Sequence, residues 1–364
     1  MISGAKRKVP PMPRLQPINN PAAPSRREFL QYLGAGALGL ALSARNARAD
    51  VDVSEPPTYD LSPGPKKLRG LFPIGQTPFT EDDKIDLDSL AAQVPFCNRG
   101  GVHGFVWPQI ASGWTTLSEA ERLSGAEAIV SAGKGGYAAI VIGVQGPDMA
   151  AVTRYAQHAA KIGADAIVSL PPAKVTDEKA LLDYYQQLGR VTDLPLFAQS
   201  TGTMSVDLIV EMFNTIPTMR QVKDEAGVPL ERVAELRRRT NDQLRVFSGQ
   251  GVRTLISEME LGFVGHCPYT GLADVYASAY DLWHAGKRQE GFDMFGRILA
   301  FNSLGNADGN GLLVARGVFK PSVHARQMPP VPGGGPGGPR LGPKMSVKAI
   351  RKGYEDYLKP YLRA

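Results

Sequence analysis

The amino-acid sequence predicts an α/β protein, a (β/α)₈ TIM barrel with a helical C-terminal extension, on three observations. From Leu68 onward one unit recurs eight times: a short apolar run, a loop, an amphipathic stretch, a turn, then the next apolar run. Each run is four to seven residues long and apolar throughout, the pattern of a parallel strand buried on both faces. The first run is followed by no glycine-rich phosphate loop, which an open doubly wound sheet, the competing arrangement, would want at that place.

The predicted strands are residues 70–75, 104–107, 138–144, 166–170, 196–199, 219–223, 245–248 and 262–267. Between the second and third, Ser118-Glu119-Ala120-Glu121 has the spacing of a capping box, so a helix opens there. Val152, Tyr155, Ala156, Ala159 and Ala160 repeat at the i, i+3, i+4 spacing of one buried helical face. Helices close before Gly100-Gly101, Gly163 and Gly262, which suit left-handed caps. After the eighth strand come helical stretches at 272–285 and 288–302 and a last amphipathic one at 346–362. Residues 328–344 are nearly all Pro and Gly and predict a flexible loop. The expected division is a leader at 1–49, a linker at 50–67, the barrel at 68–285 and the extension at 286–364.

The leader reads as a twin-arginine export signal, with Arg26-Arg27 ahead of a weakly apolar run from Gly34 to Ala44 and then Ala47-Arg48-Ala49. That run is shorter than the roughly 20 residues a bilayer needs, so no stable membrane anchor is expected. Engagement of the export machinery, cleavage after Ala49 and a periplasmic location follow as expectations. The formal net charge of the 364-residue chain is +6, yet residues 1–49 hold eight of the basic residues and one acid, leaving 33 basic against 34 acidic. A nearly neutral body exerts no general pull on phosphate backbones, so a nucleic-acid partner is not expected. The two cysteines, Cys97 and Cys267, read as separate buried thiols, and the five histidines lack ligand spacing; neither a metal nor a cofactor is called for.

Barrel enzymes carry their reactive groups at the C-terminal ends of strands. Strand six ends in Val222-Lys223-Asp224-Glu225-Ala226-Gly227. A lysine closing an apolar strand points into a partly dehydrated mouth, where its pKa should fall and the neutral amine can attack a carbonyl. The competing reading is a structural lysine in a salt bridge, with Asp224 as the partner at hand. Position alone leaves the two open.

This segment is similar to the Schiff-base lysine motif of the dihydrodipicolinate synthase / N-acetylneuraminate lyase family of class I aldolases. Thr77-Pro78-Phe79, Thr116-Leu117-Ser118-Glu119-Ala120-Glu121-Arg122, Gly163-Ala164-Asp165-Ala166, Pro171-Pro172 and Phe247-Ser248-Gly249 agree in order and spacing. The resemblance covers about residues 68–285. It implies a lyase that binds a small carbonyl substrate as an imine on Lys223, in a homo-oligomer (dimer or tetramer), with a substrate pocket drawn from Thr77, Gln109, Ala111, Ser112, Trp114, Ser248 and His266. The departures are specific. Where the family has a Gly-Thr-Thr-Gly-Glu motif that holds the substrate carboxylate, this chain has Gln109-Ile110-Ala111-Ser112-Gly113-Trp114. The proton-relaying tyrosine at the end of strand five is Gln199, and the tyrosine pair after strand four is Ala173-Lys174. Glutamine does not ionise near neutral pH and cannot serve as acid or base. Lys174, as a second amine, is expected to lower the pKa of Lys223. The expected activity is an aldolase or hydro-lyase on a 2-keto acid or sugar-derived keto acid; synthesis of dihydrodipicolinate fits neither these replacements nor an exported chain. The alternative is an exported barrel that binds a carbonyl or carboxylate ligand without turnover.

Overall fold

The computed structural model describes residues 66–202, 204–249, 252–303, 309–326 and 345–362. The chain divides into a unit of residues 1–55, outside the described residues, and a unit of 56–364 to which all that follows belongs. The export signal, its cleavage point and the loop at 328–344 therefore lie outside the described residues.

Eight parallel strands form one sheet: β1 (Gly70–Leu71), β2 (Gly104–Trp107), β3 (Ala139–Gly143), β4 (Ala166–Ser169), β5 (Leu196–Ser200), β6 (Met219–Asp224), β7 (Arg245–Ser248) and β8 (Gly265–His266), in the order β1-β8-β7-β6-β5-β4-β3-β2. The two ends of that order meet. His103 N donates to Leu71 O at 2.9 Å, Val106 N to Pro73 O at 3.0 Å and Gly75 N to Val106 O at 2.9 Å, which joins β1 to β2 and makes the sheet a barrel.

β1 and β8 are shorter than the sequence predicts. Pro73 has no N–H to give to a ladder, although Phe72 N and Ile74 N still bond His266 O and Pro268 O at 2.8 Å each. β8 starts late because Gly262 (φ 88°) is the left-handed cap of the preceding helix.

The helices are α1 (Leu87–Arg99), α2 (Glu119–Ala132), α3 (Met149–Ile162), α4 (Glu178–Leu188), α5 (Val206–Thr215), α6 (Pro229–Arg239), α7 (Leu255–Leu261), α8 (Ala273–His284), α9 (Arg288–Ser303), α10 (Gly309–Ala315) and α11 (Val347–Tyr357). The capping box forms as its spacing predicts: Ser118 N donates to Glu121 Oε2 at 2.8 Å and Glu121 N to Ser118 Oγ at 3.3 Å. On α3 the buried stripe runs through Ala151, Val152, Tyr155, Ala156 and Ala159. Ala160, placed on that stripe by the sequence reading, is exposed; the stripe is one residue position further round, with Ala151 on its edge. No described helix is long and apolar enough to cross a membrane.

The apolar residues separate into two cores. The larger fills the shell between strands and helices. The smaller fills the barrel, where Phe72, Phe197 and Phe247 meet with ring centroids 5.0–6.1 Å apart. Such tilted and edge-on aromatic contacts add to the burial of the rings themselves. This aromatic plug closes the barrel interior and gives the mouth a floor. In the extension, Arg316 ties three elements together, bonding Asp274 of α8 at 2.6 Å and Tyr354 of α11 at 2.7 Å and lying 4.7 Å from the ring of Phe96 of α1.

At the base of the barrel His103 Nδ1 accepts the Leu71 N–H at 3.0 Å, which requires that nitrogen to be unprotonated. Burial, then the neighbouring His284, pushes this ring down to about 3 from its ordinary 6.5. The folded pKa is depressed, so the unfolded chain binds a proton first as pH falls. Stability is then lost from about pH 6.5 downward, by up to a few kcal/mol at about 1.4 kcal/mol per pH unit. Denaturant unfolding at pH 7 and at pH 4.5 should show this loss, and His103→Asn should flatten it; parallel curves in the two chains would show that other groups carry it.

Candidate active site

The site is built at the C-terminal end of β6. Val222 packs outward into the helix shell, so strand alternation turns Lys223 inward. Lys223 is aligned with Gln199 on β5 and with Phe247 on β7. Its side chain stands above the aromatic plug, and only 6% of the residue is exposed. Beyond β6 the ladder continues, with Glu225 N donating to Ser200 O at 3.1 Å. That brings Glu225 onto the same face as Lys223. Lys223 Nζ lies 3.2 Å from Glu225 Oε1, and Glu225 Oε2 accepts from Gln199 Nε2 at 2.5 Å. The three side chains form one chain of contacts: amine, carboxylate, amide. Gln199 Oε1 is left buried without a hydrogen-bond partner.

Two expectations about Lys223 are corrected here. Its ion-pair partner is Glu225 rather than Asp224. Asp224 points to the opposite side, where it accepts a hydrogen bond from Ser200 and lies 3.2 Å from Arg232 Nε, its own carboxyl raised by burial. The amine, moreover, is not depressed. Burial pulls it down, but the Glu225 carboxylate, with Cys267 and Tyr269, outweighs burial and holds it above the ordinary lysine value. Lys174, expected to lower it as a second amine, is exposed in the turn after β4, in a left-handed conformation (φ 66°).

The loops after β1 and β2 form a brace at the opposite wall. Trp107 Nε1 donates to Thr77 Oγ1 at 2.9 Å, Thr77 Oγ1 to Ser112 O at 2.7 Å, Ser112 Oγ to Gly75 O at 2.6 Å, and Gln109 N to Ser112 Oγ at 3.0 Å. Thr77 and Ser112 thus direct their hydroxyl protons into the protein. The Gln109 amide donates to Pro108 O at 3.1 Å and Gln145 Oε1 at 3.2 Å, leaving its own Oε1 buried and unpaired. Ala111 is half-buried against the inner core. Trp114, also half-buried, lies 5.8 Å from the Arg122 guanidinium. Ser248, expected in the pocket, is buried at the end of β7 on the side away from it: Phe247 takes the inward position, and Ser248 is aligned with the outward-facing Asp224 and His266.

His266 is not in the mouth. Gly265 holds the inward position on β8, where an added Cβ would lie 2.1 Å from the Phe247 ring. His266 consequently faces the helices, with Nδ1 2.7 Å from Glu258 Oε2 of α7 and its ring 5.8 Å from Tyr280 of α8.

Sequence reasoning missed four side chains. Glu225 could have been found from the i, i+2 rule applied to Lys223 beyond the apolar run. Gln221 is inward on β6, with an unpartnered Oε1. Gln145 holds Gln109, and Arg122 holds Gln145: Nη1 donates to Gln145 O and Nη2 to Gly143 O at 2.6 Å, with the guanidinium 4.0 Å from the Tyr155 ring. Burial pushes Arg122 down to about 10. Cys97 and Cys267 are buried free thiols, as the sequence suggests; burial raises both, Cys267 to about 12. Among the described residues no three His, Cys, Asp or Glu side chains gather in a way that could hold a metal ion.

An eight-stranded parallel barrel with an ion-paired amine at a strand's C-terminal end belongs to the class of barrels whose strand ends carry the reactive groups. Within that class the chain belongs to the dihydrodipicolinate synthetase family, whose model matches residues 67–318. The family is one of aldolase-type lyases. The chain is 28% identical over 194 residues to the 4-hydroxy-tetrahydrodipicolinate synthase of Methanosarcina mazei, covering 52% of this chain and 65% of that protein. The match thus spans just under two thirds of that relative's length. Among solved structures, dihydrodipicolinate synthase from Rhodopseudomonas palustris superposes with a TM-score of 0.66 at 23% identity, over 83% of this chain and all of that one. The sialic acid aldolase of Ruminococcus gnavus gives 0.68 at 15% identity, over 81% of this chain and 99% of that one. At these identities the two structures establish the fold alone.

Proposed function

We propose that this protein is a lyase, an aldolase or hydro-lyase, that binds a 2-keto acid or a sugar-derived keto acid as a Schiff base on Lys223. The observation that carries this reading is the Lys223 amine, buried in the barrel mouth at the end of β6 and in contact with one carboxylate. Membership of the family supports it. A primary amine in a partly dehydrated site condenses with a keto carbonyl to give an iminium, and that cation draws electrons from the adjacent carbon so that a bond to it can break. Thr77, Gln109, Ala111, Ser112 and Trp114 supply the surrounding wall. We extend the proposal to export through the twin-arginine route to the periplasm and to a homo-oligomeric assembly. Dihydrodipicolinate synthesis is not the reaction we favour, because Gln199 stands at the tyrosine position and the Thr-Thr pair is missing.

The test is borohydride reduction of the full chain in the presence of pyruvate and a panel of sugar-derived keto acids. One reduced adduct is expected, on the peptide containing Lys223. The ion pair with Glu225 favours a second reading, a ligand-binding barrel in which Lys223 is structural. That reading predicts thermal stabilisation by a carbonyl or carboxylate ligand and no adduct with any of the keto acids.

A further inference from the structure

The barrel mouth has a glutamine, Gln199, at the position of the family's tyrosine, and it holds a carboxylate. Glu225 lies on the inner face directly beyond Lys223, 3.2 Å from the reacting nitrogen, and it is fixed from its other oxygen by the Gln199 amide at 2.5 Å. Gln199 therefore does not need to ionise: with its Nε2 it holds a group that can. The backbone of Gln199 is anchored in turn, its carbonyl accepting the Tyr185 hydroxyl at 3.2 Å. Gly249 keeps the space clear, since a Cβ there would lie 2.0 Å from Glu225 Oε1. The neighbouring Asp224 is turned away toward Ser200 and Arg232 and does not compete for the amine.

We propose that Glu225 is the catalytic acid–base residue of imine formation at Lys223, positioned by Gln199. This rests on the Schiff-base reading above. In the resting protein the Lys223 ammonium is paired with the Glu225 carboxylate. Glu225 takes one proton from the ammonium, and the freed electron pair on nitrogen forms a bond to the keto carbon. The carbonyl oxygen takes up a proton, and the nitrogen sheds one, to give a neutral carbinolamine. Glu225, now the acid, returns its proton to the carbinolamine hydroxyl. The C–O bond breaks, water leaves, and the nitrogen electron pair closes the iminium. The sum is ammonium plus ketone giving iminium plus water, with the carboxylate regenerated. The carbinolamine oxygen is bonded to the carbon that Nζ has attacked, so a carboxylate in contact with Nζ reaches it by a torsion of its own side chain. The need for such a neighbour is quantitative. With the Glu225 carboxylate holding the amine above its ordinary value, less than about one lysine in a thousand is neutral at pH 7, so the proton has to pass to the base in contact with it before nitrogen can attack.

The experiment follows the rate of borohydride trapping by pyruvate in the full chain, read as mass added at Lys223, from pH 5 to 10. In Glu225→Gln the rate at neutral pH should fall about 10²-fold or more, the usual range for removing an acid–base group. The residual rate should rise steadily with pH as hydroxide takes over. Glu225→Asp should keep part of the rate. In Glu225→Ala, formate added to the buffer should restore trapping, which a merely structural carboxylate would not allow. A Glu225→Gln chain that traps pyruvate at the unaltered rate and with the unaltered pH profile overturns the proposal. So does a native-like melting curve for Glu225→Ala with no response to formate, or loss of trapping in Tyr269→Phe while Glu225→Gln retains it. If the unsubstituted chain forms no adduct with pyruvate or with any keto acid of the panel, the Schiff-base reading itself falls; if it forms one and Glu225 proves dispensable, only the present proposal falls.

Discussion

Replacing Lys223 by methionine is expected to abolish imine trapping with every keto acid and to lower stability at neutral pH by about 2–3 kcal/mol. Methionine keeps the length and much of the volume of the lysine stem, so the aromatic plug beneath it stays packed. What is lost is the charge that pairs with Glu225, which is largely buried and, among the described residues, has its side chain otherwise held by the Gln199 amide. Removing one partner of a buried ion pair costs about 3–5 kcal/mol because it leaves the other charge uncompensated, and the partial exposure of Glu225 reduces that. Two measurements separate this from loss of packing. The double variant Lys223→Met/Glu225→Gln should recover most of the stability, since the orphaned charge is gone. The stability difference between the original chain and Lys223→Met should also persist from neutral pH to about pH 10 and shrink only above it. The sign follows from the raised amine: a lysine whose folded pKa exceeds its unfolded one contributes stability that is complete below the unfolded value of about 10.4 and is lost as pH climbs through the folded one. If the double variant is no more stable than Lys223→Met, the ion pair is not what Lys223 contributes to the fold.

The barrel was legible because its strands are apolar on both faces, a pattern that needs no knowledge of which side is which. The mouth was not, because there the side matters. Lys223 could be placed at a strand end from its position after Met219–Val222, but the sequence offers adjacent Asp224 as its partner and does not single out alternate Glu225. Only the continued ladder from Glu225 N to Ser200 O fixes which one shares its face. The same parity error put His266 in the pocket. Starting β8 at Gly262 rather than Gly265 hides the fact that Gly265 takes the inward position and leaves His266 to Glu258. The depressed amine failed for a related reason: burial was inferred correctly, but its effect on a pKa depends on the nearest charge. α10 went unread because two of its first three residues, Gly309 and Gly311, disfavour helices and tertiary packing overrides them.

Alanine at Gly249 should separate the chemistry from the fold more cleanly than any change to the charged pair. The added Cβ would lie 2.0 Å from Glu225 Oε1 and 2.5 Å from Lys223 Cε. Both contacts are far ends of flexible side chains, so they can swing aside while the backbone stays where it is. The cost of crowding, about 1 kcal/mol, is opposed by the smaller entropy of the unfolded chain when glycine becomes alanine, worth about 0.4–1 kcal/mol. Net stability should therefore change by less than about 1 kcal/mol. The amine and carboxylate, by contrast, have to move by something near an ångström, and a displacement of that size in a reacting pair costs on the order of 10² in rate. Pyruvate trapping at Lys223 is expected to slow by about that factor, with the denaturation midpoint nearly unchanged. A trapping rate equal to that of the unsubstituted chain would mean that the observed arrangement of Lys223 and Glu225 is not the one that reacts. The Phe247-Ser248-Gly249 segment then has a physical reason for ending in glycine: its phenylalanine closes the floor of the site, and its missing side chain is the space in which the reactive pair stands.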